Sequence, residues 1–362
     1  MKKFIQFLGV AAFSALQVSC SGSDDSRPGQ DENPAAQDEF IRAADISTLP
    51  EIESEGTVFY AGETPEDPVM TLKNAGVNCA RIRIWHNPSN GHSGLQEVKA
   101  LANRVRNAGM KVWLTVHYSD TWADPGQQAV PSAWNAMSFE QLKAASENYT
   151  SEILTEIDPD IIQIGNETND GFLWPAGKLS ENETQSVALF QAISQKIRAQ
   201  SPDTRIMLHY AGLTGAEWFF TKMADVDYDY IGLSYYPVWH GTSIAPLTAL
   251  INTLGATHDK KVLIAETAYP FTLGWNDWTN NIVGEQGQLA SGFPATPTGQ
   301  RGFVSTIRNI VENSPYGQGF AYWGGEWIAF RGNEATNGST VENQALWDFD
   351  HRSLPVMQEF HE

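Results

Sequence analysis

Asp160-Ile-Ile-Gln-Ile-Gly-Asn-Glu167 is the stretch that says most about the architecture of this chain, and Lys261-Val-Leu-Ile-Ala-Glu266 resembles it. Each is a short apolar run typical of a buried strand, and each ends at a glutamate. Such a carboxylate must be desolvated, paired or used, because burial disfavours its charged form. Either glutamate taken alone is equally consistent with a strand-end residue that meets solvent. The remaining strands of the chain distinguish the two interpretations.

Short apolar runs alternate with segments of helical periodicity from about residue 41 onward. This alternation predicts an α/β protein, a (β/α)8 TIM barrel forming a single catalytic domain over residues 41–362, rather than an open sheet. The predicted strands cover residues 41–47, 78–85, 111–118, 161–167, 205–210, 230–237, 261–267 and 319–323. Helices are predicted at residues 95–108, 139–156, 184–199, 245–257 and 300–312. The long polar segments at about 272–300 and 329–345 are expected to shape a binding cleft.

Composition favours a neutral, sugar-like substrate. The 362 residues carry a formal net charge of −20, which argues against nucleic acid or another anionic partner. The 12 tryptophans suit the flat faces of sugar rings, although a large core would use them as well.

Polar and aromatic residues cluster at the ends of the predicted strands. In a TIM barrel these ends share one rim, where the active site lies. Two carboxylates on one rim are what a retaining glycoside hydrolase requires, with carboxyl groups about 5–5.5 Å apart. The rim residues are Arg81, Arg83, His117, Asp120, Trp122, Asp124, Asn166, Glu167, His209, Tyr235, Tyr236, Glu266 and Trp323.

Several motifs of the chain resemble those of family 53 glycoside hydrolases, the endo-β-1,4-galactanases. The likeness runs in order from about residue 43 to about residue 350, and its most specific part is His117-Tyr-Ser-Asp-Thr-Trp-Ala-Asp-Pro125. The other motifs are Arg81-Ile-Arg-Ile-Trp-His-Asn-Pro88, Ile164-Gly-Asn-Glu-Thr168, Leu173-Trp-Pro175, Ser234-Tyr-Tyr-Pro237, Ala265-Glu-Thr267 and Glu342-Asn-Gln-Ala-Leu346.

The resemblance implies catalytic roles for two residues and binding roles for nine. Glu167 matches the general acid/base and Glu266 the nucleophile of an arabinogalactan endo-β-1,4-galactanase. Tyr236 is expected to hydrogen-bond Glu266, and Asn166 to bind the 2-hydroxyl of the reacting sugar. Arg81 is placed to keep Glu266 ionised, with a purely structural ion pair as the alternative. The further substrate-binding candidates are His117, Asp120, Trp122, Trp174, His209 and Trp323. Core packing is the alternative for Trp122 and Trp174, and a hydrogen-bonded core position is the alternative for His117.

No cofactor is expected. The resemblance implies that bacterial members bind calcium after the seventh strand through closely spaced aspartates. Here that segment, Leu273-Gly-Trp-Asn-Asp277-Trp-Thr-Asn-Asn281, has a single carboxylate, whereas calcium prefers several oxygen ligands. We therefore predict no metal site, with calcium in this loop as the alternative.

The N-terminus predicts export and lipidation. Residues 1–20 have two lysines, an apolar stretch too short to span a bilayer, and Cys20 in a context that resembles a bacterial lipobox. The following Ser23-Asp-Asp-Ser resembles the acidic tag of Bacteroidetes surface lipoproteins, and residues 21–40 are predicted to form a flexible acidic tether. We expect a monomeric outer-membrane lipoprotein at the cell surface, with a secreted or periplasmic protein as the alternative. Cys79 is then expected to be a core thiol.

Two other functions remain open at this point. One is a different retaining endo-glycanase of the same clan, acting on mannan, xylan or cellulose. The other is a surface glycan-binding lipoprotein without catalysis, which the presence of both Glu167 and Glu266 disfavours.

Overall fold

A computed structural model describes residues 39–362 of the protein. In this part of the chain, eight parallel strands form a closed barrel in which each strand pairs with its sequence neighbours and β8 closes against β1. The predicted (β/α)8 architecture is therefore confirmed. The strands are β1 Ile41–Asp45, β2 Cys79–Ile84, β3 Lys111–Val116, β4 Ile161–Ile164, β5 Arg205–Ala211, β6 Tyr230–Ser234, β7 Lys261–Thr267 and β8 Gly317–Tyr322.

Helices cover the outside of the barrel. The five predicted helices are present, and the described residues contain four short ones as well. Those are too brief for periodicity to reveal, although Asp67 caps α2 through the Val69 amide. The helices are α1 Leu49–Ser54, α2 Pro68–Asn74, α3 Leu95–Asn107, α4 Phe139–Glu156, α5 Glu183–Gln200, α6 Ala216–Lys222, α7 Pro237–His240, α8 Ala245–His258 and α9 Pro297–Glu312.

Two apolar layers stabilise the barrel. The strands are buried along nearly their whole length, which is why they appear in the sequence as continuous apolar runs. One layer lies between strands and helices; a smaller cluster includes Ile41, Cys79, Trp113, Met207 and Leu263. Cys79 is buried with a free thiol, as predicted.

The loops after β7 and β8 contact each other at one end of the barrel. The Ile282 amide donates to the Thr340 carbonyl at 2.9 Å, and the Trp278 amide donates to the Ala335 carbonyl at 2.9 Å. Thr340 also lines the cavity at the carboxyl ends of the strands, so the loop after β8 shapes the cleft, as expected for residues 329–345.

None of the helices in residues 39–362 has both the length and the apolar character needed to cross a membrane. The signal peptide, Cys20 and nearly all of the tether lie outside the described residues. The last tether residue, Phe40, accepts a hydrogen bond from the Asn78 side chain through its carbonyl at 2.9 Å.

Candidate active site

The carboxyl ends of the eight strands surround a cavity of about 280 Å³. Charged groups form its base and indole rings form its walls. The lining residues are Asp45, Ser47, Arg81, Arg83, His117, Trp122, Ala123, Asp124, Asn166, Glu167, Tyr236, Trp239, Glu266, Trp323, Trp327 and Thr340.

A tight turn directly after β4 presents Glu167 to the cavity. Gly165 has φ +75° and Glu167 has φ +46°, so the strand ends at Ile164, three residues earlier than predicted. A glutamate in the left-handed region is uncommon and is usually held there by its surroundings. Here the Asn166 side-chain Nδ2 donates to the Ala123 carbonyl at 2.9 Å and anchors the turn.

Glu167 and Glu266 lie opposite each other. One carboxylate oxygen of Glu167, one of Glu266 and one ring nitrogen of His209 lie within 4.8 Å of one another. A metal ion at this cluster would have to displace hydrogen bonds that these groups already make. The separation instead suits two carboxylates that act on one bond.

Glu266 is surrounded by donors that favour its ionised form. Arg81 donates through Nη2 to Oε1 at 2.6 Å, and the Tyr236 hydroxyl donates to Oε2 at 2.9 Å. The predicted Tyr236 contact is therefore present. Burial raises the pKa of Glu266 above its ordinary value, and the Arg81 charge and the Tyr236 hydroxyl oppose that rise.

Glu167 has no cation in direct contact among the described residues. Its Oε1 accepts a hydrogen bond from the Ser234 hydroxyl at 2.6 Å. Burial, with the negative charge of Glu266 next, raises the pKa of Glu167 to about 8, although the Ser234 hydroxyl opposes the rise. The surroundings of the pair therefore favour a proton on Glu167 and the ionised form at Glu266.

Arg81 connects the two carboxylate strands. Its side chain is only 2% exposed, and it also donates to Asp45 Oδ2 at 2.6 Å and to Asn166 Oδ1 at 3.0 Å. A buried guanidinium with this many acceptors fixes the positions of the groups around it. Arg81 thus forms buried ion pairs with both Glu266 and Asp45.

His117 lines the cavity as a neutral imidazole. Its Nδ1 accepts from the Ala123 amide at 3.1 Å, which leaves the proton on Nε2. Burial, and then the charges of Arg83 and Arg81, lower the pKa of His117 well below its ordinary value. His117 can therefore donate to a sugar hydroxyl without carrying charge.

Asp120 and His209 do not line the cavity, although both were predicted to bind substrate. Asp120 accepts from the Ser132 amide at 2.8 Å and the Asn87 amide at 3.0 Å, so it joins two loops. His209 is completely buried and bonds to Ser234. Neither residue is among those that line the cavity; the Asp120 side chain is partly exposed, whereas His209 has no exposed surface.

Indole rings form the cavity walls. Trp122 lies parallel to Trp327, with ring centres 6.2 Å apart, and Trp323 contacts both edge-on. Trp239 is 58% exposed at the rim. Trp174 does not line the cavity; its indole N–H donates to the Asp170 carbonyl, and Lys178 lies over its ring.

Eight described residues that line the cavity were absent from the predicted catalytic and binding set, as was Ser234, which donates to Glu167. The eight are Asp45, Ser47, Arg83, Ala123, Asp124, Trp239, Trp327 and Thr340. Asp45 ends β1, so its strand-end position was a usable signal. Arg83 was recognised as a rim residue, but its position between the rings of Trp85 and Trp122, 4.6 and 4.3 Å from their centres, depends on packing. Trp239 and Trp327 lie on connections outside the strands.

A family model described as Glycosyl hydrolase family 53 matches residues 41–360. The chain is 33% identical to a Cellvibrio japonicus protein named arabinogalactan endo-beta-1,4-galactanase, across 96% of this chain and 93% of that protein. It is also 33% identical to a Bacillus subtilis protein named endo-beta-1,4-galactanase, across 89% of this chain and 85% of that protein.

Solved structures agree with the sequence matches. The Ignisphaera aggregans GH53 catalytic domain has 34% identity and a TM-score of 0.84, across 91% of this chain and 98% of that one. A structure described as fungal beta-1,4-galactanase has 25% identity and a TM-score of 0.78, across 89% and 98%. A GH113 beta-1,4-mannanase shares only the fold, at 11% identity and a TM-score of 0.52 over 89% of this chain and 97% of that one.

Proposed function

The chain belongs to glycosyl hydrolase family 53, and on that premise we propose that it is a retaining endo-β-1,4-galactanase. It cleaves β-1,4-galactosidic bonds within galactan and type I arabinogalactan, the side chains of pectin. Glu167 is the general acid/base and Glu266 is the nucleophile.

The separation of the two carboxylates carries the retaining assignment. Their nearest oxygens lie within 4.8 Å, whereas inverting enzymes need roughly 6.5–9.5 Å to admit a water molecule between the carboxyl groups. A covalent glycosyl-enzyme intermediate fits the shorter separation.

The two steps use the two protonation states in turn. First, Glu266 attacks the anomeric carbon while Glu167 gives its proton to the glycosidic oxygen. The bond between the anomeric carbon and that oxygen breaks in the same step. Then Glu167, now ionised, takes a proton from a water molecule that attacks the same carbon and releases Glu266. The surroundings support this division. Within residues 39–362, Arg81 and Tyr236 donate to the Glu266 carboxylate, and only the neutral Ser234 donates to that of Glu167.

The cavity walls support a neutral sugar chain as substrate. Trp323 is proposed as the floor under the reacting sugar, Trp122 as a platform, and His117 and Asn166 as hydroxyl ligands. The Asn166 side-chain nitrogen uses one hydrogen for the Ala123 carbonyl and keeps the other for the 2-hydroxyl. Trp174 and Asp120 lie outside the cavity, which limits them to outer subsites or to loop support.

Hydrolysis assays test the function directly. The purified protein is expected to release reducing sugar from pectic galactan and far less from mannan, xylan or cellulose. Proton NMR should detect the β-anomer as the first product. Comparable activity on another polymer, an α-anomer as first product, or equal activity of Glu266→Gln would contradict the proposal.

We propose that the reaction itself needs no cofactor. The sequence argument against calcium was that residues 273–281 contain a single carboxylate. The fold brings a second carboxylate, Glu342 from the loop after β8, next to Asp277. Both side chains are buried, and Asp277 Oδ2, Glu342 Oε2 and Asn281 Oδ1 have no hydrogen-bond partner in the described residues. These oxygens fit a hard cation. Asp277, Glu342 and Asn281 would hold calcium, which would link the two loops outside the catalytic cavity.

Thermal unfolding distinguishes the two cofactor alternatives. If calcium is held, adding it to chelator-treated protein raises Tm in the natural chain but not in Asp277→Asn. If Tm is the same with calcium as with chelator, the protein has no calcium site at Asp277, Glu342 and Asn281.

We also propose that the mature protein is a monomeric surface lipoprotein that begins at lipidated Cys20. The support is the sequence pattern of residues 1–40 and the size of the polymer substrate, which exceeds that of outer-membrane pores. Cys20→Ala is expected to move active enzyme into the soluble fraction. Full protection of the natural protein from protease added to intact cells would favour a periplasmic location, and sedimentation equilibrium would test the monomer.

A further inference from the structure

Three hydrogen bonds join Glu167, His209 and Ser234 in a closed circle, which we call the Glu167 ring. The Glu167 amide donates to His209 Nδ1 at 3.1 Å. His209 Nε2 lies 2.9 Å from the Ser234 hydroxyl, and that hydroxyl donates to Glu167 Oε1 at 2.6 Å. His209 and Ser234 are both fully buried.

The hydrogen bonds of the Glu167 ring can run in only one donor-to-acceptor direction. A backbone N–H can donate but not accept, so His209 Nδ1 must be unprotonated and its proton lies on Nε2. The Gln163 side chain, 2.9 Å from the same nitrogen, is a second donor to it. His209 Nε2 therefore donates to the Ser234 oxygen. The hydroxyl hydrogen of Ser234 is then left for Glu167 Oε1.

This direction makes the two oxygens of Glu167 unequal. The carbonyl oxygen of a carboxylic acid is a better acceptor than its hydroxyl oxygen, so the hydrogen bond from Ser234 to Oε1 favours a proton on Oε2. Oε2 accepts no hydrogen bond from another described residue, and Glu167 lines the cavity. We propose that His209 and Ser234 are positioning residues that confine the acidic proton of Glu167 to Oε2, the oxygen that faces the leaving group.

The inference builds on the proposed function, because that function identifies the atom that receives the proton. In the first step the proton moves from Oε2 to the glycosidic oxygen, and in the second a water proton returns to Oε2. The hydrogens of the ring stay in place in both steps. The same donor from Ser234 stabilises the carboxylate that exists between the steps.

Other charges around Glu167 remain when Ser234 is changed. They are Glu266 on β7, Arg81 on β2 and Asp124 after β3, with the Tyr236 hydroxyl after β6. His209 stays neutral, because burial and the charge of Arg81 lower its pKa well below the ordinary value. Loss of the Ser234 hydroxyl therefore destabilises the ionised form of Glu167, and it also leaves the His209 Nε2–H without its acceptor.

Carbon-13 NMR of enzyme labelled at the glutamate δ-carboxyl tests the ring without any substrate. The Glu167 signal is assigned by its loss in Glu167→Gln. In Ser234→Ala its pKa should rise by about one unit, and in Ser234→Cys, whose thiol donates weakly, by less. The control Ser146→Ala removes another buried hydroxyl, which donates to the Leu142 carbonyl at 2.9 Å in α4, and should leave the pKa unchanged. An unchanged or lower pKa in both Ser234 variants would overturn the proposal, and Ser234→Cys preserves the test if Ser234→Ala does not fold.

Kinetics give the second readout. In Ser234→Ala, kcat on galactan should fall and the alkaline limb of kcat/KM should move about one pH unit upward. An aryl β-galactoside with a dinitrophenolate leaving group needs little acid assistance and should be cleaved at nearly the natural rate. Equal loss on both substrates would mean a general structural effect and would overturn the assignment. If the natural enzyme does not hydrolyse galactan but the Glu167 pKa still rises in the Ser234 variants, the proposed function is wrong and the inference about the Glu167 ring is retained.

Discussion

Glu167 and Glu266 are the same residue type, and their different protonation follows from the donors around each one. Both are buried, which alone would raise the pKa of each carboxyl group. Arg81 and Tyr236 bind the ionised form of Glu266, whereas Ser234 is a neutral donor to one oxygen of Glu167. One fold thus holds an acid and a nucleophile side by side.

Glu266→Ala should lower kcat on galactan on the order of 10⁴-fold or more, because no covalent intermediate can form. Glu167→Ala should be severely impaired on galactan yet retain more activity on aryl galactosides with good leaving groups, which need less protonation. Steady-state kinetics across a series of leaving groups measures both effects. If the two variants depend equally on the leaving group, the division of roles is wrong.

Arg81→Lys should lower kcat on galactan and destabilise the fold. A single ammonium cannot replace the planar donors that reach Asp45, Asn166 and Glu266 together. Leaving one of these buried acceptors unpaired costs part of the roughly 3–5 kcal/mol of a broken buried ion pair. Chemical denaturation measures the free energy of unfolding, and steady-state kinetics measures kcat. If both are unchanged in Arg81→Lys, Arg81 has no role in catalysis or in stability.

The turn after β4 shows how one short element positions a reactive group. Gly165 permits the reversal that ends the strand, and a methyl group there would lie 2.3 Å from Thr168 Cγ2. Gly109, after α3, has nearly the same φ, +76° against +75°, but its added methyl would meet nothing within 4 Å. The pair separates backbone strain from a steric effect on the active site.

Gly109→Ala should cost about 1–2 kcal/mol of stability, the strain of a left-handed alanine, and keep its kcat. Gly165→Ala should suffer the same strain and in addition lose on the order of 100-fold in kcat, because Asn166 and Glu167 are displaced. Denaturation and galactan assays on both variants test this. Equal kcat in the two variants would show that the turn tolerates the methyl group.

The whole barrel is strongly acidic, and some of its carboxyl groups are buried with incomplete pairing. Glu326 accepts from the Thr48 amide at 2.8 Å, but its Oε2 has no partner in residues 39–362. Burial, and then the charge of Asp45, raise the pKa of Glu326 to about 8. The folded protein therefore binds this proton more tightly than the unfolded chain.

The sign of the pH effect follows from that shift. The contribution of Glu326 to stability is complete below its unfolded pKa, about 4.5, and is lost as pH rises through about 8. Glu326→Gln keeps the acceptor for Thr48 and removes the titration. Its Tm should fall less between pH 5 and pH 8 than that of the natural chain, by several degrees. The control Glu217→Gln, an exposed change on α6, should show the same dependence of Tm on pH as the natural chain. If Glu326→Gln also shows that unchanged dependence, the Glu326 carboxyl group is not protonated in the fold and the prediction is wrong.

The architecture and the catalytic pair could be predicted from the sequence because they depend on local pattern. Strands buried on both faces appear as continuous apolar runs, and β7 begins and ends where it was predicted, at Lys261 and Thr267. Parallel strands in a closed barrel place their carboxyl ends on one rim, so Glu167 and Glu266 had to be close once the barrel was recognised.

The partners of those residues could not be predicted, because hydrogen bonds depend on turn dihedral angles and on which loop folds over which strand. Ser234 and His209 sit on adjacent strands, yet the ring they form with Glu167 requires the left-handed φ at Glu167. Tryptophan spacing likewise does not separate Trp174, which packs under Lys178, from Trp327, which lines the cavity. Periodicity records which face of an element is buried, whereas the contacts between elements far apart in the chain exist only after the barrel has closed.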